Sequence, residues 1–284
     1  MKTELLQSAA KIASKSKLLK RVGTKLAIHI LPEEVETRVS SSRFVFRPKI
    51  DGLWYLNYSD AEPGVEKILN ENLSEGETFV DIGAYIGYYS ILARNIVGEQ
   101  GKVISFEPNP ESYKMLKKNI TLNGYENIIA ENIALSDEEG FLKLFIGKYT
   151  DDSSSLFLAE EVNEGRYVMV KTMTFDRYCE DQEIGPSFIK IDAEGAEYKI
   201  LRGMQKVIAV HHPKLMFEVH SRHLEIQGIF LHSLFDFLKE KEYEIQLINE
   251  RSGEAIPVEE LVSLCKMGRK NRFGTLVNQV VFCA

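Results

Sequence analysis

No stretch of the 284 residues is apolar over the roughly 20 positions that a membrane-spanning helix requires. Cysteine is scarce. Cys179, Cys265 and Cys283 are scattered, odd in number and form neither a CxxC pair nor a Cys/His cluster. This excludes a disulfide framework and a zinc site, and it fits buried thiols in a reducing compartment. Positive charge is also in deficit: 35 Lys and Arg against 42 Asp and Glu leave a formal net charge of -7. General nucleic-acid binding is therefore not expected, because it needs a basic surface. Lysines interrupt the N-terminal segment where a secretory leader would be continuously apolar, so the expected location is cytoplasmic. A hydrophobic content of 44% and a charged content of 27% are those of a globular chain and exclude wholesale disorder. The length suits one large α/β domain with an extension.

The extension is set at residues 1–60 and the main domain at 61–284. At its start, Lys2, Lys11, Lys15, Lys17, Lys20, Arg21 and Lys25 face a single acid, Glu4, while Leu5, Ala9, Ile12, Leu19, Val22, Leu26 and Ile30 recur at helical spacing. A basic amphipathic helix is expected here, ended by Pro32. Two readings stay open for it: peripheral contact with an anionic membrane surface, or packing on the main domain with its lysines in solvent. Residues 43 to 58, which include the sole tryptophan, Trp54, read as a short hairpin or lid. Ser59-Asp60-Ala61-Glu62 then caps a helix from Pro63 to about Asn72.

From Thr78 onward the pattern is regular. Strands are expected at Thr78 to Ile82, Lys102 to Phe106, Ile128 to Ile133, Ser187 to Ile191, Leu215 to Val219, Glu244 to Ile248 and Leu276 to Cys283. Helices are expected between most of them, at Ile86 to Val97, Pro110 to Leu122, Ala196 to Val210 and Ile229 to Lys239. Strands alternating with helices imply a mostly parallel sheet covered on both faces, with ligands at the carboxyl ends of its strands.

After the first of these strands comes Asp81-Ile82-Gly83-Ala84-Tyr85-Ile86-Gly87, and the next ends Phe106-Glu107-Pro108-Asn109. Gly83 suits a tight turn close to a ligand, and Gly87 lets the helix start lie near the strand. An acid about 20 residues beyond a glycine loop, here Glu107, is placed to accept hydrogen bonds from both hydroxyls of a ribose. The spacing is GxxxG, which does not match the pyrophosphate fingerprint. Asp81 also precedes the first glycine, where a carboxylate opposes a pyrophosphate but suits the cationic centres of S-adenosylmethionine. The expected cofactor residues are Asp81, Gly83, Tyr85, Gly87, Glu107 and Asn109, with backbone contacts around Ala134 over the adenine and with Asp192 at the reacting end.

Several blocks resemble the FkbM family of S-adenosylmethionine-dependent methyltransferases, from about Tyr58 to the C-terminus. They are Phe79-Val80-Asp81-Ile82-Gly83, Gly87-Tyr88-Tyr89-Ser90, Phe106-Glu107-Pro108, Asn119 with Leu122-Asn123-Gly124, and Ile189-Lys190-Ile191-Asp192-Ala193-Glu194-Gly195-Ala196-Glu197. The resemblance implies a class I methyltransferase fold, Rossmann-like, with seven strands of which the last is antiparallel. It also implies O-methylation of a sugar, glycolipid or polyketide-like hydroxyl. In one place the chain departs from the pattern: the family often has asparagine or histidine where Tyr85 stands.

Methyl transfer needs an aligned nucleophile, and a sugar hydroxyl also needs a base or a metal. Asp192 ends the fourth strand, and Glu218 and His220 follow the fifth on the same side of the chain. The expectation is that these three converge on the acceptor, with His220 as general base. No metal ligand set is assigned, although the same oxygen and nitrogen atoms suit a hard divalent cation. A partly basic loop, Cys265 to Phe273, either grips an acidic acceptor or is a solvated turn. RNA methylation and a non-catalytic adenosylmethionine-binding module are the competing functions. The oligomeric state is not legible.

Overall fold

A computed structural model describes residues 32–52, 55, 62–147, 154–156, 162–218, 220–229, 231–249, 254–256 and 279–284. The expected N-terminal helix, Trp54 and the Cys265 to Phe273 loop lie outside the described residues. Strands β1 (Val35–Val39) and β2 (Ser42–Phe46) form an antiparallel hairpin, earlier in the chain than residues 43 to 58. Helix α1 follows at Pro63–Asn72 with proline in its first turn, as expected, although its N-cap Glu62 makes no side-chain cap bond. The regular part runs β3 (Thr78–Ile82), α2 (Tyr88–Val97), β4 (Lys102–Phe106), α3 (Pro110–Leu122) and β5 (Ile128–Glu131). Next come β6 (Ala134–Leu135), β7 (Gly140–Gly147), β8 (Val162–Met173), α4 (Phe175–Gln182) and β9 (Phe188–Ile191). The chain continues with α5 (Glu197–Arg202), α6 (Gln205–His211), β10 (Lys214–Glu218), α7 (Ser221–Ile226) and α8 (Leu231–Glu240). It ends with β11 (Ile245–Asn249), β12 (Ala255–Ile256) and β13 (Gln279–Cys283).

The main sheet has the order β12-β11-β13-β10-β9-β3-β4-β5. All seven expected strands are present, β13 is antiparallel to both neighbours, and the two-residue β12 adds an eighth strand at the edge. This is the class I methyltransferase arrangement. Strand order reverses between β3 and β9, so the crevice lies at their carboxyl ends, at Gly83 and Asp192. Two backbone bonds hold that corner: the Asp192 amide donates to the Ile82 carbonyl at 2.9 Å, and the Gly83 amide donates to the Phe106 carbonyl at 2.9 Å.

Alternation along the central strands sends side chains to two cores. Phe79 and Phe188 join Ile91, Leu116 and the hairpin residues Phe44 and Phe46 on one face. Val80, Ile189 and Phe217 join Ile200, Leu201 and Leu238 on the other. The β1–β2 hairpin is thus packed into the core beside α2 and α3, tied there by Asn119, whose side chain bonds both the amide and the carbonyl of Val45.

Two features depart from the expected pattern. A second sheet, β6-β8-β7, stands between β5 and α4, where no strands are expected. The helix expected over Ala196 to Val210 is two helices, broken at Gly203 and Met204. Tertiary packing causes the break: a Cβ on Gly203 would stand 2.1 Å from the Ser136 carbonyl oxygen, so the segment carrying β6 presses directly on this backbone. Among the described residues no helix is long and apolar enough to cross a membrane.

Candidate active site

A cavity of about 380 Å³ opens at the switch point, where β3, β4, β6, β9 and β10 end. Gly83 forms its floor with φ +80, and a Cβ there would lie 1.8 Å from the Asp192 carbonyl oxygen. Gly87, with φ +91, begins α2, and a Cβ there would meet Leu116 at 2.5 Å. Only glycine suits either position.

Between them, Tyr85 adopts φ +51, a left-handed conformation that asparagine and histidine tolerate better than tyrosine. Its amide donates to Glu107 Oε2 at 2.8 Å, and its hydroxyl donates to Asp51 Oδ1 at 2.5 Å. Asp51 is itself paired with Arg47 at 2.7 Å. Tyr85 therefore straps the glycine loop to the turn after β2. Tyr89 and Tyr88, at the start of α2, bond Glu62 and Glu66 in the same manner. With Tyr55, whose ring stacks at 6.5 Å on that of Tyr85, they give the cavity an aromatic wall.

Glu107 is buried, and its other oxygen accepts from the Asn109 amide at 2.8 Å. Burial pushes its carboxyl up to about 7, against the pull of the two amides. Asn109 does not line the cavity. It caps α3, its side chain accepting from the Glu111 amide at 3.0 Å, so its link to the cavity is the amide that holds Glu107. Ile133, Ala134 and Leu135 line the side next to Glu107, with Leu144 and Leu156 beyond them.

Asp81 is fully buried. Its Oδ2 accepts from Ser90 Oγ at 2.6 Å, and Ser90 accepts in turn from Ser105 at 2.8 Å. Its Oδ1 lies 3.8 Å from Lys190 Nζ and accepts no hydrogen bond among the described residues. Desolvation raises the Asp81 carboxyl above its ordinary range, while Lys190 and Ser90 oppose the rise. Lys190 also donates to Asp192 at 3.3 Å and lies over the Tyr89 ring at 4.9 Å. Burial alone would lower its ammonium; Asp192, Asp81 and Glu62 together outweigh that and hold it above the usual value.

The structure brings Asp192, Glu218 and His220 together, with ligand atoms all within 4.8 Å of one another. Asp192 and Glu218 line the cavity, and His220 sits buried behind them. The imidazole Nδ1 is 2.7 Å from Glu197 Oε1, while Nε2 is 3.4 Å from Glu194 Oε2 and 4.0 Å from Glu218 Oε2. Glu197 Oε1 also accepts from the Gly195 amide at 3.0 Å. Desolvation would lower the imidazole, but Glu194, Glu197 and Glu218 hold it well above its ordinary value. The carboxylates around His220 thus favour the protonated form of its imidazole.

These residues fit S-adenosylmethionine. Glu107 keeps lone pairs on both oxygens for ribose hydroxyls, and Gly83 lets the end of β3 close against the Asp192 carbonyl at the cavity. Asp81 offers a buried, unsatisfied carboxylate oxygen to a cationic group. Sequence reasoning missed the aromatic wall and the contribution of β7. The first was signalled, since Tyr85, Tyr88 and Tyr89 fall within five residues at the glycine loop; the burial of β7 alternates only weakly.

Residues 81–245, more than half of the chain, match the family model described as the methyltransferase FkbM domain. A hexuronic acid methyltransferase, AglP, from Haloferax volcanii is 24% identical over 178 residues, 62% of this chain and 70% of that protein. Protein-L-isoaspartate O-methyltransferase 1 from Archaeoglobus fulgidus is 40% identical over 58 residues, 20% of this chain and 27% of that one. Among solved structures, an FkbM methyltransferase from Methylobacillus flagellatus is similar with a TM-score of 0.48 and 15% identity. That match covers 81% of this chain, which spans about half (52%) of the solved one.

Proposed function

This chain belongs to the FkbM methyltransferase family, with S-adenosylmethionine as cofactor, and we propose that it methylates a hydroxyl of a sugar, glycolipid or related small acceptor. The observation that carries this reading is the pairing of two surfaces in one cavity. The carboxylates of Asp192 and Glu218 and the tyrosine rings of Tyr55, Tyr85, Tyr88 and Tyr89 all line it. Carboxylates accept hydrogen bonds from neighbouring hydroxyls, while aromatic faces cover the C–H surface of a pyranose ring. The hexuronic acid methyltransferase relative supports the same acceptor class.

S-adenosylmethionine, when bound, supplies a methyl group on a good leaving group. The residues of this chain do the rest. Glu107 would hold the ribose, and the Gly83 turn and Asp81 would fix the methionine end. Lys190 fixes the Asp192 carboxylate at the cavity lining. The acceptor hydroxyl hydrogen-bonds to the Asp192–Glu218 pair, which aligns its oxygen and takes its proton as the new O–C bond forms. His220 keeps this cluster from accumulating uncompensated negative charge.

The test is mass spectrometry of glycan, lipid and RNA fractions incubated with the protein and methyl-labelled cofactor. Label in a glycan or glycolipid hydroxyl is expected. Label confined to RNA would overturn the reading, as would none in any fraction from a protein that binds the cofactor.

A further inference from the structure

Three side chains at the ends of β9 and β10 supply what a divalent cation needs: two carboxylates and one imidazole on adjacent strand ends, beside an open cavity. From their arrangement we infer that Asp192, Glu218 and His220 form a binding site for a hard divalent cation such as Mn2+ or Mg2+.

The first observation is the geometry. One donor atom of each residue lies within 4.8 Å of the others, a spread that small side-chain rotations contract onto an ion with metal–oxygen distances of about 2.0 to 2.4 Å. The second, independent observation is the setting of the imidazole. His220 is 8% exposed, and its Nδ1 is fixed by Glu197, itself 1% exposed. Metal-ligating histidines typically show this support: the far ring nitrogen donates to a carboxylate, which orients the ring and makes the near nitrogen a better ligand. Nε2, the near nitrogen, makes no hydrogen bond among the described residues and faces the acidic side chains.

Charge points the same way. Glu194, Glu197 and Glu218 each bring a carboxylate oxygen within 4.0 Å of the imidazole, and Asp192 pairs with Lys190 at 3.3 Å. A dication held by Asp192 and Glu218 would offset the repulsion between their carboxylates. Three protein ligands leave coordination positions open toward the cavity, where two neighbouring hydroxyls of an acceptor fit. Glu194, at φ +47, holds its carboxylate near the imidazole and needs no place in the ligand set. The site itself follows from side-chain positions alone. Its use in orienting and acidifying an acceptor hydroxyl rests on the O-methylation reading.

The full-length protein, stripped with EDTA and then titrated with Mn2+ alone, tests this. Isothermal titration should show one ion per chain, and pulsed electron paramagnetic resonance should show nitrogen coupling from one imidazole. Glu218→Gln and His220→Ala should each remove binding, the latter with its nitrogen coupling, while both still bind S-adenosylhomocysteine. Glu197→Gln should weaken binding about 10-fold or more through loss of ring orientation. No saturable binding by the wild type overturns the site, as does binding without nitrogen coupling. The wild-type spectrum decides even if a variant misfolds. Glycan methylation that EDTA leaves unchanged, in a protein that takes up no Mn2+, removes the cation and keeps the acceptor reading. Mn2+ bound with nitrogen coupling in a protein that methylates no glycan does the reverse.

Discussion

At the cofactor end of the cavity, buried carboxylates are matched by donors from the chain itself. Glu107 receives two backbone amides, and Asp81 receives a serine relay and sits beside Lys190. At the acceptor end the matching is between side chains: Glu194, Glu197 and Glu218 approach the His220 imidazole, and Asp192 pairs with Lys190. The first end is built from backbone turns and the second from opposed side-chain charges, and the two respond differently to substitution.

The largest effect expected is that of Gly83→Ala. Its Cβ would overlap the Asp192 carbonyl, so both ends are disturbed together. Calorimetry should show cofactor affinity lowered by at least about 100-fold, roughly 3 kcal/mol. Near-normal affinity would show that the strand ends can part and that the cofactor end is not rigid.

His220→Ala and Glu218→Gln separate the two ends. Turnover should fall roughly 100-fold, while cofactor affinity measured by the same calorimetry stays unchanged. Turnover at the wild-type rate in either variant removes the acceptor-end cluster from the chemistry.

Glu107→Gln acts at the cofactor end, with an expected loss of about 10-fold in affinity from weaker ribose hydrogen bonds. Because the Glu107 carboxyl titrates at about 7, wild-type affinity should fall as pH is lowered through that value, and the variant should be flat there. Stability of the ligand-free protein has the opposite sign. A carboxyl raised above its unfolded value contributes stability that is complete below about 4.5 and is lost as pH rises through about 7. The loss amounts to about 3 kcal/mol, so thermal melts of wild type should decline over pH 5 to 8 more than those of the variant.

Tyr85→Phe should act on stability and leave turnover closest to that of the wild type. It deletes the bond to Asp51 and leaves the backbone in place, for about 2 kcal/mol of stability and a small drop in melting temperature. Unaltered melting would show that the strap from the glycine loop to the hairpin region is not held by that hydroxyl.

Much of this was legible in the order of residues. Repeating apolar strands and helices set the parallel sheet, and the β3 and β4 ends placed Asp81, Gly83 and Glu107 around one crevice. These are local signals: strand period, glycine in a turn, an acid at a strand end. The β6-β8-β7 sheet was not legible in the same way, because its short β6 and the exposed Phe141 and Met169 weaken the alternation. Nor was the break at Gly203, since a glycine within a helical pattern does not reveal that another segment presses on it.

By itself, then, the sequence determined that the chain makes a class I methyltransferase sheet and that an adenosyl cofactor sits after β3 and β4. Those outcomes depend on spacing along one or two neighbouring elements. Only the tertiary structure decided the setting of His220. Its proton affinity is raised by Glu194, Glu197 and Glu218, which reach it from the β9–α5 loop, α5 and β10 at 2.7 to 4.0 Å. No reading along the chain measures those distances.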